Sequence, residues 1–241
     1  MRNKKLCLLV CGNGAFAGAI MKYREDRTVI AVKWNPRLDI ADLPKFARRR
    51  IVAVHVGRGR EFPALLTYCE KRDIPIIQAS TGQKRSSVKP KVAVIVAPNI
   101  GLSVIAFMKA LSGFIDGLQS DPETKIVRRL LEESHHCQKK TVPGTARKLA
   151  RALRIPAREI ISTRDLIGQI RMGVPGRHLD RHAYHLITLG FMDGVHVELK
   201  IKVHGVAPYV SGVATIAYRL IVAKGAGKLK AGYQSVNKFV K

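Results

Sequence analysis

The sequence predicts an α/β fold built on a parallel sheet, followed by a second region with a sheet of a different kind. Five short runs rich in β-branched residues lie in the first hundred positions, at 5–10, 28–33, 51–56, 75–79 and 92–97. They alternate with segments of helix-like composition such as 61–72. Continuous apolar strands separated by helices are typical of a parallel sheet that is covered on both faces.

The pattern changes beyond residue 99. A long helix is predicted over 102–117, and a strand-like stretch begins at Lys125. Two further strands are predicted at 182–189 and 195–203, and the second has apolar side chains at every other position, which indicates a sheet with one buried face. A last helix at about 210–223 is apolar enough to pack against the core, and we expect the basic segment that starts at Lys224 to be a flexible tail.

Composition limits the class of protein. A chain of 241 residues with 46% hydrophobic residues can bury a sizeable core, in one large or two small domains. No apolar run reaches the roughly 18 residues of a membrane span, and the first residues do not form a signal peptide, so we expect a cytoplasmic protein. The cysteines form no CxxC pair, and therefore neither a metal site nor a disulfide framework is expected.

The formal net charge of +26 attracts polyanions whatever the fold. The basic residues are nevertheless spread along the whole chain, without an arginine-glycine array, an aromatic RNA-binding motif or a zinc finger. Nucleic acid is therefore expected only through non-specific charge. A general bias of composition, or a preference for anionic ligands, explains the scattered excess equally well.

The first predicted strand ends in a glycine turn of the form GxGxxA. The turn consists of Gly12, Asn13, Gly14, Ala15, Phe16 and Ala17. In such a turn the two glycines permit close approach to a pyrophosphate, and the small third residue lets the following helix pack on the strand. The sequence therefore predicts a Rossmann dinucleotide-binding domain at the N-terminal end.

The end of the second predicted strand bears on the choice of cofactor. An acidic residue there would bond the ribose hydroxyls of NADH, but residues 33–37 contain no acid. Lys33 and Arg37 suit the additional phosphate of NADPH, which we expect to be preferred over NADH. The alternative is that both are ordinary members of a basic surface.

Residues 133–146 combine an acid, two imidazoles, an ammonium group and a helix start. Backbone amides after Gly144 can bind a carboxylate at the start of the helix, and Lys139 adds a positive charge. His135 or His136 can exchange a proton near neutral pH. The segment predicts an anion-binding site that handles protons, and the alternative is a surface turn that leads into a helix.

Other histidines and one cysteine were candidates for chemistry. The spacing of His178, His182 and His185 would suit zinc on a helix, but the segment reads as a loop entering a strand, so we expect a substrate-facing or structural cluster. Cys137 and His136 would make a nucleophile and base only with an orientation that adjacent residues seldom reach. We expect Cys137 to be an ordinary surface residue.

Taken together, these segments resemble the 4-hydroxy-tetrahydrodipicolinate reductase (dihydrodipicolinate reductase) family over nearly the whole chain. Residues 133–146 look like the family pattern E-S/A-H-H/Q-x-x-K-x-D-x-(P)-S-G-T-A. Residues 79–82 are similar to its G-T-T-G turn, and 97–104 to its A-P-N-F/M-S-x-G-V hinge. Residues 173–185 look like G-V-P-x-x-H-L-x-G-H-x-Y/W-H, and 203–212 resemble V-N-G-R-R-x-Y-A-E-G.

The resemblance implies a two-domain NAD(P)H-dependent oxidoreductase. Residues 1–101 with 208–241 would form the Rossmann domain, and residues 102–207 an α+β substrate-binding and oligomerisation domain with a mixed sheet, which assembles a homotetramer. Hydride would pass from the cofactor to 4-hydroxy-tetrahydrodipicolinate, a small cyclic dicarboxylate. The product would be tetrahydrodipicolinate, in lysine and diaminopimelate biosynthesis.

The resemblance also implies roles for individual residues. His135 would protonate the carbanion or enamine that forms as hydride arrives, and Lys139 would bind a carboxylate or assist that proton transfer. The remaining substrate-binding residues would be His136, Gly144 and Thr145. Beyond the glycine turn with Lys33 and Arg37, the cofactor-binding residues would be Ala79, Thr81, Gly82, Ala97 and Asn99.

The chain departs from the family pattern at several positions. The departures are Thr141 for aspartate, Pro143 for serine, Val206 and Ala207 for two arginines, Ser211 for glutamate, and His55 for the aspartate of a D-F-T segment. Pro143 has neither a backbone N–H nor a hydroxyl to offer a carboxylate. The alternatives are therefore a reductase for a related imino acid, or a divergent Rossmann-fold homologue with lost or altered activity that acts as a cofactor-sensing or polyanion-binding protein.

Overall fold

The structure is a computed structural model, and it describes residues 5–23, 28–43, 45, 48, 50–80, 88–119 and 125–240. Two compact units make up the chain. The first unit comprises Met1–Leu102 together with Tyr209–Lys241, and the second comprises Ser103–Pro208. The second unit is therefore one continuous stretch of chain, whereas the first is built from two separate stretches.

The predicted helices and strands are present in the predicted order. The strands are β1 (Leu6–Cys11), β2 (Val29–Lys33), β3 (Ile51–His55), β4 (Ile76–Gln78), β5 (Ala93–Val96), β6 (Ile126–His135), β7 (Ile161–Thr163), β8 (His182–Phe191), β9 (His196–His204) and β10 (Gly232–Ser235). The helices are α1 (Ala15–Lys22), α2 (Phe62–Glu70), α3 (Leu102–Gln119), α4 (Gly144–Ala152), α5 (Leu166–Arg171) and α6 (Ala207–Gly225). Of these elements, β7, α5 and β10 are additional to the predicted ones.

The first unit contains a six-stranded sheet in the order β10-β5-β4-β3-β1-β2, and all neighbouring strands are parallel. Every residue of the inner strand β1 is buried, as expected when helices cover both faces of a parallel sheet. On one face Leu9 and Ala53 pack with Phe62 and Leu65 of α2. The predicted Rossmann-type α/β fold is confirmed.

The prediction of a flexible tail after Lys224 is wrong. Residues 232–235 form β10, which pairs in parallel with β5 at the edge of the sheet. Val236 and Val240, which follow the strand, are 2% and 6% exposed. The lysines and glycines of the segment mask this short apolar pattern, which is too brief to give a clear strand signal by itself.

The second unit contains a mixed four-stranded sheet in the order β7-β6-β8-β9, in which β7 is parallel to β6 and the other pairs are antiparallel. The helices α3 and α4 cover one face of this sheet. Leu131 and Ile187 of the sheet share a buried cluster with Ile115 of α3 and Leu149 of α4. The predicted α+β region with a mixed sheet is confirmed.

Among the helices of the described residues, none combines the length and the hydropathy that crossing a bilayer requires.

A close contact explains the last glycine of the segment 203–212. Gly212 lies in α6, and a Cβ atom at this position would be 1.8 Å from the carbonyl oxygen of Ile100. Helix α6 therefore approaches the chain after β5 at a distance that only glycine permits.

We expect Gly212→Ala to lower the free energy of unfolding by about 1–3 kcal/mol, because the helix must shift away from Ile100. Gly225→Ala at the end of the same helix is the matched control, because no atom lies within 4 Å of its added Cβ. Urea unfolding of both variants measures the difference. Equal stability of the two variants would contradict the close contact.

Candidate active site

The glycine turn after β1 leaves space for a ligand. Gly12 has φ +139°, and a Cβ atom on it would lie 2.7 Å from the backbone nitrogen of Gly57, so both conformation and space require glycine. Gly14 caps α1, and nothing lies within 4 Å of the place of its missing Cβ. The first amides of α1 have no partners within the helix and are available to a phosphate at this open position. The turn therefore fits a pyrophosphate.

Lys33 and Arg37 lie differently at the end of β2. The Lys33 ammonium group donates to the Gly12 carbonyl and to Oδ1 of Asn13, so it braces the glycine turn. Arg37 is exposed, and its backbone N–H donates to Oδ1 of Asn35 at 2.9 Å. Both residues are exposed, but the ammonium group of Lys33 is already engaged by the glycine turn.

Most of the other predicted cofactor residues lie at the carboxyl ends of the parallel strands, the edge where such sheets bind their ligands. Ala79 follows β4, and the buried Ala97 follows β5. Oδ1 of Asn99 accepts a hydrogen bond from the N–H of Gly101 at 2.9 Å and shapes the turn there. The positions of Ala15, Phe16 and Ala17 are in α1. Thr81 and Gly82 lie outside the described residues.

His55, which replaces an aspartate of the family pattern, ends β3 and is fully buried. Its Nδ1 atom is 2.9 Å from Oγ of Ser80, so the imidazole links the end of β3 to the turn after β4. Burial lowers the pKa of His55, which keeps the ring neutral. The substitution therefore leaves an uncharged side chain at this edge of the sheet.

In the second unit, Glu133 and His135 are two residues apart on β6, and their side chains therefore lie on the same face of the sheet. Oε2 of Glu133 is 2.7 Å from Nδ1 of His135. A carboxylate only accepts hydrogen bonds, so Nδ1 carries the proton. Nε2 is then the atom of His135 that can bind and release a second proton.

Glu133 is a fully buried carboxylate with three hydrogen-bond donors. Besides His135, the Ser162 hydroxyl and the Arg164 guanidinium each donate to Oε1 at 2.5 Å. Burial by itself would raise the pKa of Glu133, but the three hydrogen bonds outweigh it and lower the pKa to about 2. Glu133 therefore stays ionised at neutral pH and holds the His135 ring.

His135 is mostly buried, with 13% of its side chain exposed. Burial lowers its pKa, the bond to Glu133 acts in the opposite direction, and the charges of Lys139 and Arg164 lower the pKa again. The net effect is a pKa below the ordinary value of histidine. The ring is therefore neutral at pH 7, and its protonated form is a stronger acid than free imidazolium.

The structure brings the other predicted substrate residues to the chain that follows β6. Residues 136–139 form a turn closed by a bond from the Lys139 N–H to the His136 carbonyl, 3.0 Å long. Helix α4 begins at Gly144, which is exposed, and Thr145 is half-buried in its first turn. This arrangement places an ammonium group and the start of a helix after the strand that carries His135.

Two departures from the family pattern lie within this chain segment. Pro143 caps α4 in an extended conformation without a side-chain hydrogen bond, so the helix amides are not occupied by a serine hydroxyl. Thr141 is exposed. The carbonyl of Lys139, two residues earlier, accepts a hydrogen bond from Nε of Arg164 at 3.0 Å.

Sequence reasoning missed the residues that hold this site together. Arg164, Ser162 and Gln169 were not candidates, and Glu133 was noted only as a nearby acid. Period-two alternation could have placed Glu133 beside His135. The bonds to Arg164 and Ser162 join residues about 30 positions apart, through the pairing of β6 with β7, and no local pattern reveals them.

The histidines of residues 178–185 do not converge on one point. His178 stacks on His204, with ring centres 4.3 Å apart. His182 donates from Nδ1 toward the His178 carbonyl at 3.0 Å, and its Nε2 accepts from the Ser134 hydroxyl at 2.8 Å. Within the described residues, no group of three or more His, Cys, Asp or Glu side chains is placed to hold a metal ion.

His185 is the most deeply buried of these histidines, with 1% of the residue exposed. Its ring meets the His135 ring edge to face at 5.6 Å between centres. Neither ring nitrogen has a hydrogen-bond partner among the described residues. Burial, together with the charge of a protonated His135, lowers the pKa of His185 to about 3, although the Glu133 carboxylate acts in the opposite direction. The ring therefore stays neutral in the folded protein.

This buried ring makes the protein sensitive to acid. The folded pKa of about 3 is below the unfolded value of about 6.5, so only the unfolded chain binds the proton between these values. We expect the free energy of unfolding to fall below pH 6.5, by up to about 1.4 kcal/mol per pH unit from His185 alone. His185→Leu should reduce this slope between pH 7 and pH 5, measured by urea unfolding, whereas His196→Leu at an exposed position should not. Equal slopes in the two variants would contradict the assignment.

Comparison with known proteins shows similarity to one group of enzymes. The chain is 26% identical over 185 residues to a probable 4-hydroxy-tetrahydrodipicolinate reductase 1 (chloroplastic) of Oryza sativa subsp. japonica, a match that covers 70% of this chain and 52% of the rice protein. It is 27% identical over 186 residues to the 4-hydroxy-tetrahydrodipicolinate reductase 1 (chloroplastic) of Arabidopsis thaliana, covering 69% and 50% of the two chains. The chain thus spans about half the length of the curated relatives it matches. No protein-family model matches it.

Among solved structures, the fold is similar to that of a dihydrodipicolinate reductase from Paenisporosarcina sp. TG-14 with dipicolinate bound. The TM-score is 0.60 at 14% sequence identity, and the match covers 97% of this chain and 99% of that one. The sequence matches and the fold agree with the resemblance found in the motifs. The chain is similar in sequence to 4-hydroxy-tetrahydrodipicolinate reductases and similar in fold to a dihydrodipicolinate reductase.

Proposed function

We propose that the protein is an NAD(P)H-dependent reductase that converts 4-hydroxy-tetrahydrodipicolinate to tetrahydrodipicolinate in lysine and diaminopimelate biosynthesis. The observation that carries the proposal is the buried Glu133 carboxylate, which orients His135 in a segment that also supplies Lys139 and the start of α4. The overall reaction adds one hydride and one proton to the substrate and releases one molecule of water. The site residues described above account for the proton and for binding of a dicarboxylate.

The first unit is proposed to bind the cofactor, which supplies the hydride when bound. The open space above Gly14 and the amides of α1 support binding of a pyrophosphate. Arg37, exposed near the end of β2, is proposed to contact the additional phosphate of NADPH. Lys33 contributes indirectly, because its ammonium group braces the glycine turn.

The second unit is proposed to bind the substrate and deliver the proton. Lys139, His136 and the amides of Gly144 and Thr145 bind the two carboxylates. The negative charges of a bound dicarboxylate raise the pKa of His135, so the ring becomes protonated in the complex. His135 then gives the proton from Nε2 to the carbanion or enamine carbon formed as hydride arrives, while its Nδ1–H stays bonded to Glu133.

A second function is favoured by the net charge of +26. A protein that keeps the glycine turn but has lost reduction would bind NADPH and polyanions without turnover. The neutral residues Val206 and Ala207 in place of two arginines support this alternative. For the first function, the resemblance to the 4-hydroxy-tetrahydrodipicolinate reductase family also supports assembly as a homotetramer.

We expect His135→Gln to reduce kcat by at least about 100-fold, because glutamine cannot donate the proton. Lys139→Ala should mainly raise KM for the dicarboxylate, because its ammonium group is proposed to bind a carboxylate. The exposed neighbour Lys140 provides the matched control, Lys140→Ala, with kinetics close to wild type. The assay follows NADPH absorbance after addition of freshly generated substrate. A wild-type protein that binds NADPH without substrate-dependent oxidation, but binds nucleic acid tightly and in a salt-sensitive way, would support the second function.

The choice of cofactor is tested at Arg37. We expect Arg37→Glu to lower kcat/KM for NADPH by about tenfold or more, because it replaces an attraction to the additional phosphate by a repulsion. The value for NADH, which has no phosphate at this position, should change much less. Steady-state kinetics with both cofactors provide the comparison, and an equal loss for both would show that Arg37 does not select NADPH.

A further inference from the structure

Arg164 makes three hydrogen bonds from one guanidinium group. Nη2 donates to Oε1 of Glu133, Nε donates to the carbonyl of Lys139 at 3.0 Å, and Nη1 donates to the carbonyl of Thr163 at 2.9 Å. Only 20% of the side chain is exposed. A single side chain therefore contacts the carboxylate that orients His135 and the main chain of Lys139.

The main chain around Arg164 is tied to the same place. Gln169, which is 2% exposed, donates from Nε2 to the carbonyl of His135 at 2.8 Å and to the carbonyl of Arg164 at 3.2 Å. The Asp165 side chain accepts from the Gly168 N–H and caps α5. These bonds fix helix α5 and the main chain of Arg164, so the guanidinium group extends from a fixed position.

The geometry requires arginine in particular. Its planar group presents several N–H donors in fixed directions, whereas a lysine ammonium on a flexible stem cannot reach the Glu133 carboxylate and the carbonyls of Lys139 and Thr163 at once. The positive charge of Arg164 and the fixed directions of its N–H donors are both needed for these three hydrogen bonds.

We propose that Arg164 is a positioning residue of this site, which sets the orientation of His135 through Glu133 and the position of Lys139 through its main chain. The expected effect on kcat rests on the reductase function proposed above. Arg164 touches neither of the proposed reacting atoms, and it acts by holding the proton donor and the carboxylate-binding cation in one arrangement. Misplacement of such groups by about 1 Å costs on the order of 100-fold in rate.

The structure offers a direct chemical test. A cavity of about 420 Å³ borders Arg164, and its lining also includes His136, Gln169 and Asp180. The volume is large enough to admit a guanidinium ion from solution to the place that the side chain leaves in Arg164→Ala. A free guanidinium can restore the bond to Glu133.

The kinetic experiment compares Arg164→Ala with Arg158→Ala, the same change at an exposed arginine of the second unit. We expect kcat of Arg164→Ala to fall by about 100-fold, with partial recovery on addition of guanidinium chloride well below denaturing concentrations, and no such response in Arg158→Ala. Arg164→Lys, which keeps the charge and is the safer variant for folding, should still lose at least about tenfold in kcat because the fixed directions are lost.

A second readout does not depend on turnover. NMR titration of the His135 imidazole in the ligand-free protein measures its pKa, which responds to Glu133, Lys139, Arg164 and His185. Arg164→Ala removes a nearby positive charge and one of the donors to Glu133, so the pKa of His135 should rise. Guanidinium should lower it again, and Arg158→Ala should leave it unchanged.

The outcomes separate this inference from the proposed function. Reductase activity with unchanged kcat and an unchanged His135 titration in Arg164→Ala and Arg164→Lys overturns the positioning role. The wild-type protein could lack reductase activity while the His135 pKa still rises in Arg164→Ala and returns on addition of guanidinium. That result overturns the proposed function and supports the positioning role. Loss of activity without any movement of the His135 titration also overturns the inference, because it shows that Arg164 does not act through Glu133.

Discussion

The second unit depends on one buried negative charge, the Glu133 carboxylate. A fully buried carboxylate is costly unless hydrogen bonds satisfy it, and here His135, Ser162 and Arg164 all donate to it. These donors come from three places in the chain, so satisfying the charge requires the end of β6, strand β7 and the following loop to be assembled together. The same requirement that stabilises the carboxylate therefore builds the geometry around the His135 ring.

The two units use backbone and side-chain chemistry differently. At the glycine turn of the first unit, the proposed ligand site depends on the absence of side chains, since Gly12 has no room for a Cβ and Gly14 leaves its position open. In the second unit, the site is formed by side chains. The ionised Glu133 holds the neutral His135 imidazole near the ammonium group of Lys139. Such a division suits a protein that holds an anionic cofactor with amides and handles protons with histidine.

The predictability of each part follows from the range of the interactions that form it. Strands β1 to β6, β8 and β9 and the glycine turn were predicted because periodicity and the GxGxxA spacing are local properties. The role of Arg164 was not predicted, because its bond to Glu133 depends on the register of β7 against β6. Strand β10 was missed since its lysine-rich surroundings resemble a solvated tail, and its burial is decided by pairing with the distant β5. Elements that are defined by a local sequence pattern were predicted, and residues whose role depends on pairing between distant segments were not.

The pairing of β10 with β5 also constrains how the chain folds. The second unit is one continuous stretch and can form all of its internal contacts as soon as that stretch is synthesised. The first unit must wait, because its sheet acquires an edge strand only after residues 232–235 have left the ribosome. Until then β5 presents unpaired backbone groups that can pair with another chain. In the nascent chain, β5 is therefore open to mispairing until residues 232–235 cover it.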